Sequence, residues 1–277
     1  MTSPDRLEAE QSRRGSLIRE DRGRSPLLTI SALNKSYGGV RAVRNASFSV
    51  RVNAITGLIG PNGAGKSTTV DLTSGMQPPD SGTITFDGAD VTRLPIDKKA
   101  RAGIVRTFQH SREFSGLTVL ENMLVAPLAQ PGSRLLRGVL GGAAVRSREK
   151  DLVATALDLL QRFNLARYAN SLAGNLSGGQ KRLLEVARAL MTRPKLLILD
   201  EPMSGVNPVL ADQLAEQICR IVQDGVTVLL IEHNLQFVER LCPHIIVMAQ
   251  GAVLAEGDMD SLRDNEQVLS AYLGTQR

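Results

Sequence analysis

A chain of 277 residues that is 42% hydrophobic can bury one large core or two modest ones sharing a sheet, and a net charge of +5 leaves anionic partners open. Its positive side chains are scattered and only 3% of its residues are aromatic, which argues against a base-stacking platform and so against a nucleic-acid partner. No apolar run approaches the about 18 to 20 residues needed to cross a bilayer, and the first residues are polar instead of signal-like, so a cytosolic chain is expected.

In chain order, Met1 to Pro26 sets Arg6, Arg13, Arg14, Arg19, Arg22 and Arg24 against Asp5, Glu8, Glu10, Glu20 and Asp21 with few apolar groups, and reads as a disordered tail. From Leu27 the pattern turns strand-rich. The runs Leu28 to Leu33, Ala46 to Val52 and Ala54 to Ile59 are β-like, and Thr83 to Phe86 leads into Asp87-Gly88, a hairpin turn signal. Between about Arg112 and Leu190 the apolar spacing becomes helical, with Leu152, Ala156, Leu159, Leu160 and Phe163 on one stripe and Leu183, Val186, Ala187 and Leu190 on another. Within it, Pro127 to Arg146 is rich in Gly, Pro and Arg and is expected to be a mobile excursion. After Pro194, Leu196 to Leu199 and Val226 to Ile231 are unalternating apolar runs of the kind buried on both faces of a parallel sheet. Val209 to Val222 between them carries Leu210, Leu214, Ile218 and Ile221 at helical spacing, which completes a β-α-β unit. The sequence therefore predicts an α/β fold with an inserted helical part. Cys219 and Cys242 stand at no metal-ligand spacing and read as reduced packing thiols.

Three motifs carry chemistry. Gly60-Pro61-Asn62-Gly63-Ala64-Gly65-Lys66-Ser67 fits G-x-x-x-x-G-K-[ST] between an expected strand and an expected helix, where backbone N–H groups and the positive helix end face a phosphate. Lys66 is placed to bridge the β and γ phosphates, and the Ser67 hydroxyl to ligate Mg²⁺. Leu196-Leu197-Ile198-Leu199-Asp200-Glu201 is an apolar strand ending in two acids, which assigns Asp200 to the Mg²⁺ and Glu201 to polarising the attacking water. Leu176-Ser177-Gly178-Gly179-Gln180 opens an amphipathic helix from Lys181 to Met191. A capping box accounts for Ser177 and Gln180, but two consecutive glycines ask for a close approach to the backbone, such as a phosphate held by another subunit.

The order of these motifs, followed by a strand ending in a histidine, resembles the ABC ATPases over about Leu27 to Leu273. That resemblance implies an RecA-like P-loop core with an antiparallel β subdomain, residues 27–111 and 192–277, and an inserted helical subdomain, residues 112–191. It also implies that ATP is contacted along Gly60, Pro61, Asn62, Gly63, Ala64, Gly65, Lys66, Ser67 and Thr68, and by Tyr37 stacking on adenine. Gln109 of Arg106-Thr107-Phe108-Gln109 looks like the glutamine that senses Mg²⁺ and the attacking water, and His233 like the switch histidine of the γ-phosphate. Ser177, Gly178, Gly179 and Gln180 would then serve the ATP of a second ABC ATPase subunit. Asn207 departs from the pattern, standing where many relatives carry an aspartate; it can hydrogen-bond across an interface but supplies no charge. His110 and His244 match no motif.

Within that family, Arg106-Thr107-Phe108-Gln109, Leu117-Thr118-Val119-Leu120-Glu121-Asn122, the excursion after Pro127, Ile231-Glu232-His233, Ala249-Gln250-Gly251 and Ala271-Tyr272-Leu273-Gly274 look like the ATPases of branched-chain amino-acid importers, the larger of the two paired ones. This implies two transmembrane permease subunits, a periplasmic substrate-binding protein acting indirectly, and a place on the cytoplasmic face of a bacterial inner membrane. Urea importers and the lipopolysaccharide-export ATPase are similar too. A non-transport ABC protein and a small-molecule kinase with a phosphate loop are rival classes; the second does not explain Leu176-Ser177-Gly178-Gly179-Gln180.

Overall fold

The computed structural model describes residues 26–107, 113–127 and 142–273; the expected N-terminal tail, apart from Pro26, lies outside them, as do Gln109 and His110. Strands β1 (Pro26–Tyr37) and β2 (Val40–Arg51) form an antiparallel pair, longer than their apolar cores because the ladder runs on through Lys35 and Ser36, which face Val43 and Arg41. Next come β3 (Ile55–Ile59) and helix α1 (Lys66–Ser74), then the hairpin of β4 (Ser81–Phe86) and β5 (Ala89–Asp90). Asp87 and Gly88 turn that hairpin with φ of 49° and 77°, the left-handed pair that the Asp-Gly signal predicts. Helix α2 (Ile96–Ala102) and the short β6 (Ile104–Arg106) follow.

The stretch read as helical resolves into α3 (Val119–Leu124), α4 (Gly142–Arg162) and α5 (Gly178–Leu190), with single 3-10 turns at Ala166–Tyr168 and Ala173–Asn175. Residues 128–141 of the expected excursion lie outside the described residues, whereas 142–146 already belong to α4, so the helix starts earlier than composition indicates. Strand β7 (Leu196–Asp200), α6 (Pro208–Gln223) and β8 (Thr227–Ile231) form the expected β-α-β unit. The chain closes with α7 (Leu235–Leu241), the hairpin of β9 (His244–Ala249) and β10 (Ala252–Gly257), and helices α8 (Met259–Arg263) and α9 (Glu266–Leu273).

One sheet is antiparallel, in the order β2-β1-β4-β5; the other is ordered β10-β9-β3-β8-β7-β6, parallel except for β10 at its edge. The unalternating apolar runs are explained by burial of that second sheet on both faces. Leu197 and Leu199 of β7, Val228 and Leu230 of β8, and Ile245 and Val247 of β9 enter a core with α5 and α6. Their neighbours Leu196, Ile198, Leu229, Ile231, Ile246 and Met248 enter a second core with α1 and the antiparallel sheet. Successive side chains thus alternate between two apolar layers, each full burial contributing roughly 1.5 to 3 kcal/mol. Because β3, β6, β7, β8 and β9 run parallel, their carboxyl ends share one edge, the place where open α/β sheets hold ligands.

Candidate functional site

Three of those carboxyl ends carry the motif residues. β3 delivers the loop Gly60 to Gly65 into α1; β7 ends at Asp200 with Glu201 beyond it; β8 ends at Ile231, two residues before His233. The loop can take its shape only with glycine at two closely packed points. Gly60 (φ 147°) would drive a Cβ to 2.1 Å from the Met248 carbonyl oxygen, and Gly65 (φ 95°) to 2.4 Å from that of Ala42. Gly65 is also the N-cap of α1, and no side chain caps that helix, so its first N–H groups are left to an outside acceptor at the positive end of the helix dipole.

Lys66 is buried, with Nζ donating to the carbonyls of Gly60 (2.7 Å) and Pro61 (3.1 Å). Burial pushes its pKa below the ordinary lysine value, and the charges of Glu201 and Asp200 pull it back only in part. An ammonium held on loop carbonyls, short of full compensation, gains from a polyanion entering the loop. Ser67 is exposed and Thr68 half-buried on the first turn of α1.

Asp200 is buried at the strand end, and Arg106 donates to its Oδ2 at 2.7 Å. Among the described residues no group of three or more His, Cys, Asp or Glu side chains could hold a metal unaided. One buried carboxylate and the Ser67 hydroxyl do fit Mg²⁺, a hard cation that is usually held by one or two carboxylates together with substrate phosphates. Glu201 adopts φ 47°, an uncommon conformation for a bulky residue. It is held by its N–H on the Ile231 carbonyl (2.9 Å) and by Arg182 of α5 donating to its carbonyl (3.1 Å). Its Oε1 lies 2.7 Å from His233 Nε2, and the His233 side chain is 42% exposed, so the pair faces the open edge of the sheet.

The Leu176-Ser177-Gly178-Gly179-Gln180 segment stands elsewhere, at the start of α5. Ser177 Oγ accepts from the Gln180 N–H (3.3 Å) and Gln180 Oε1 from the Ser177 N–H (2.9 Å), the expected capping box. The two glycines have different reasons. A Cβ on Gly179 would come to 2.3 Å from Leu210 Cδ1, so helix packing within the chain accounts for it, whereas a Cβ on exposed Gly178 would meet nothing.

The sequence profile of the ABC transporter family matches residues 43–204. The chain belongs to that family. The high-affinity branched-chain amino acid transport ATP-binding protein of Pseudomonas aeruginosa is 42% identical, the alignment covering 90% of this chain and 98% of that one. The corresponding protein of Escherichia coli K12 is 40% identical over the same shares of the two chains. Among solved structures, an ATP-binding cassette of an ABC transporter in its ADP conformation superposes with a TM-score of 0.79 at 34% identity, covering 90% of this chain and 99% of that one. The ABC ATPase fold, with two sheets around an α/β P-loop core and helices between β6 and β7, is that of this cassette.

Other sequence-predicted residues of the cassette fall as follows. Tyr37 ends β1, 42% exposed, with its hydroxyl on Gln77 Oε1 (2.5 Å) and Lys35 Nζ 5.7 Å from its ring centre. Asn207 turns out to be the N-cap of α6, its Oδ1 accepting from the Leu210 N–H at 2.9 Å; aspartate would serve that cap as well. Sequence reasoning assigned no role to Glu232, which is buried with one oxygen on the Met203 N–H (2.8 Å) and the other on the His233 N–H (3.1 Å). Burial pushes its pKa up against those backbone donors. It thereby ties the loop after Glu201 to the start of the segment bearing His233. Nor was a role assigned to Arg106 or Arg182.

Proposed function

We propose that this cassette hydrolyses Mg·ATP as one half of the motor of a branched-chain amino-acid importer, with two permease subunits and a second ABC ATPase as partners, on the cytoplasmic face of the membrane. The observation that carries the ATPase reading is the convergence of Lys66, Asp200, Glu201 and His233 at the carboxyl ends of β3, β7 and β8, with Glu201 and His233 in direct contact. Lys66 and the uncapped start of α1 grip the β and γ phosphates, neutralising charge that builds during transfer. Ser67 and Asp200 would hold Mg²⁺, which would supply Lewis-acid neutralisation of the phosphate charge there. Glu201 accepts the proton of the attacking water, and His233, on the same carboxylate, orients it and contacts the γ-phosphate. Gln109, outside the described residues, takes the role of sensing Mg²⁺ and the attacking water on the family resemblance alone, and Tyr37 that of stacking on the adenine.

The cargo reading rests on the branched-chain amino-acid relatives, each aligned over 90% of this chain. Among the described residues no helix is long and apolar enough to cross a membrane, so the permeases supply the path and a periplasmic binding protein the cargo. Residues 112–191 act as the helical subdomain and carry Ser177 and Gly178 to the partner's ATP. The test is Glu201→Gln. Gln keeps the shape and an acceptor oxygen yet takes no proton at neutral pH. ATP binding and a dimer on Mg·ATP in light scattering, alone or with the paired ATPase, should persist while phosphate release stops; normal turnover would overturn the assignment of Glu201.

A further inference from the structure

Arg106 closes β6 with its side chain only 11% exposed, and its two terminal nitrogens reach two acids far apart in sequence. Nη2 lies 2.7 Å from Asp200 Oδ2 at the end of β7, and Nη1 is paired with Asp71 Oδ1 on α1. Burial alone would push the pKa of the guanidinium down, but the two carboxylates more than offset it, so the bridge stays charged.

Asp71 is four residues beyond Ser67, hence on the same face of α1 one turn further in. The two side chains that fit Mg²⁺ sit on separate elements: Ser67 on α1, Asp200 on β7. Arg106 spans those elements one turn below Ser67. Its hold on Oδ2 leaves Oδ1 of Asp200 as the oxygen to face a cation or its water. The charges sum to one negative unit, enough to attract a cation without setting two bare carboxylates side by side. A planar fork with separated donors suits this task; a lysine ammonium serves one acid well and the other poorly.

We propose that Arg106 is a positioning residue for the cation of Mg·ATP, fixing Asp200 relative to Ser67 through its bridge to Asp71. The inference rests on the Mg·ATP reading above. It acts through orientation as well as charge, and the two are separable because Asp71 can be neutralised.

The experiment uses the full chain with Glu201→Gln, which halts hydrolysis, and reads binding of a fluorescent ATP analogue, first in EDTA and then across a Mg²⁺ titration. Arg106→Met should leave the affinity in EDTA within about twofold and raise the Mg²⁺ midpoint by about tenfold or more, the usual scale for removing the support of a metal ligand. Arg106→Met with Asp71→Asn restores the net charge of the group but not the bridge, and its midpoint should stay raised. Arg106→Lys, which keeps the charge and guards against misfolding of the methionine variant, should also shift the midpoint upward. An unshifted midpoint in Arg106→Met and Arg106→Lys would overturn the proposal, as would a return to the parent midpoint in the double variant, which would make the effect charge alone. If the parent binds no analogue in either condition, the Mg·ATP reading itself falls, and this inference with it.

Discussion

Two helix starts in this cassette both follow glycine-bearing motifs, and they are finished in opposite ways. At α1 the cap is Gly65, no side chain covers the first turn, and the lysine that follows is buried against the loop's own carbonyls. At α5 the cap is Ser177, whose box with Gln180 occupies the N–H groups of both residues. The first start is incomplete without an anion. The second is capped by its own side chains, with Ser177 and Gly178 left exposed beside the cap. A loop of the first kind can grip a phosphate by itself, whereas a surface of the second kind adds donors to a phosphate that something else already holds. Closing the two kinds face to face on one γ-phosphate is a way to couple ATP binding to movement of attached subunits.

The largest effect should come from breaking the first start. Lys66→Ala removes the charge that meets the β and γ phosphates, and phosphate release should fall to background. Because it also removes a buried ammonium whose burial is unfavourable, the thermal midpoint should not drop. Turnover at the normal rate would end the phosphate-loop assignment. Breaking the second start should spare ATP binding by the same chain and act on the partner's. Ser177→Arg, added to Glu201→Gln, places bulk where the partner's phosphate docks, and the dimer on Mg·ATP should disappear from light scattering. A double variant that still dimerises would leave the shared-site reading without support.

How much of this was legible in sequence depended on whether a residue's partners were local. The loop from Gly60 to Ser67, the strand ending in Asp200-Glu201 and the capping box of Ser177 and Gln180 are contiguous, and their local spacing carried the information. The β-α-β unit from Leu196 to Ile231 was also readable, since burial on both faces leaves a run with no polar interruption. Polar residues hid the extent of β1 and β2, where Lys35 and Ser36 stay in the ladder. Three residues of β6 are too few to show any period. The supports of the site were illegible for a different reason: Arg106 meets Asp200 across 94 positions, and Glu232 meets Met203 across 29. Pairings of that kind exist only after folding. Gly179 is the converse case, a residue singled out for function whose buried contact is with Leu210 of the same chain.

The far ends of the helices extend the comparison. α1 closes on Gly75 in a left-handed conformation and on buried Lys99, whose Nζ donates to the Leu72 carbonyl at 2.8 Å. Burial pushes the pKa of Lys99 down to about 8 from 10.5, with Asp90 opposing. Between about pH 8 and 10.5 the unfolded chain therefore binds a proton that the folded one does not, so stability from this group rises with pH across that window and the cost is fully present below it. The whole gain is at most about 3 kcal/mol. Chemical unfolding of the parent and of Lys99→Met at pH 7.5, 8.5 and 9.5 should show a steeper rise in the parent. Parallel curves would place the ammonium in a better solvated site than its burial indicates.

The smallest effect separates the two glycines at the start of α5. Alanine is the better helix former by up to about 1 kcal/mol, so Gly178→Ala, whose Cβ meets nothing, should hold or raise the thermal midpoint. The same change at Gly179 gains the same propensity but sets a Cβ 2.3 Å from Leu210 Cδ1, and overpacking of that order costs about 1 to 3 kcal/mol. The leucine end can rotate, so the difference between the variants should fall near the low end of that range. Activity should rank them the other way. If a partner's phosphate comes close to the backbone at Gly178, its added methyl obstructs the approach, and Gly178→Ala should lose ATP turnover several-fold without losing stability. Gly179→Ala should lose stability first and turnover only as a consequence, which addition of Leu210→Ala would relieve by removing the obstructing methyl. A fully active Gly178→Ala would mean that nothing approaches that backbone, and the second helix start would then be a cap and no more.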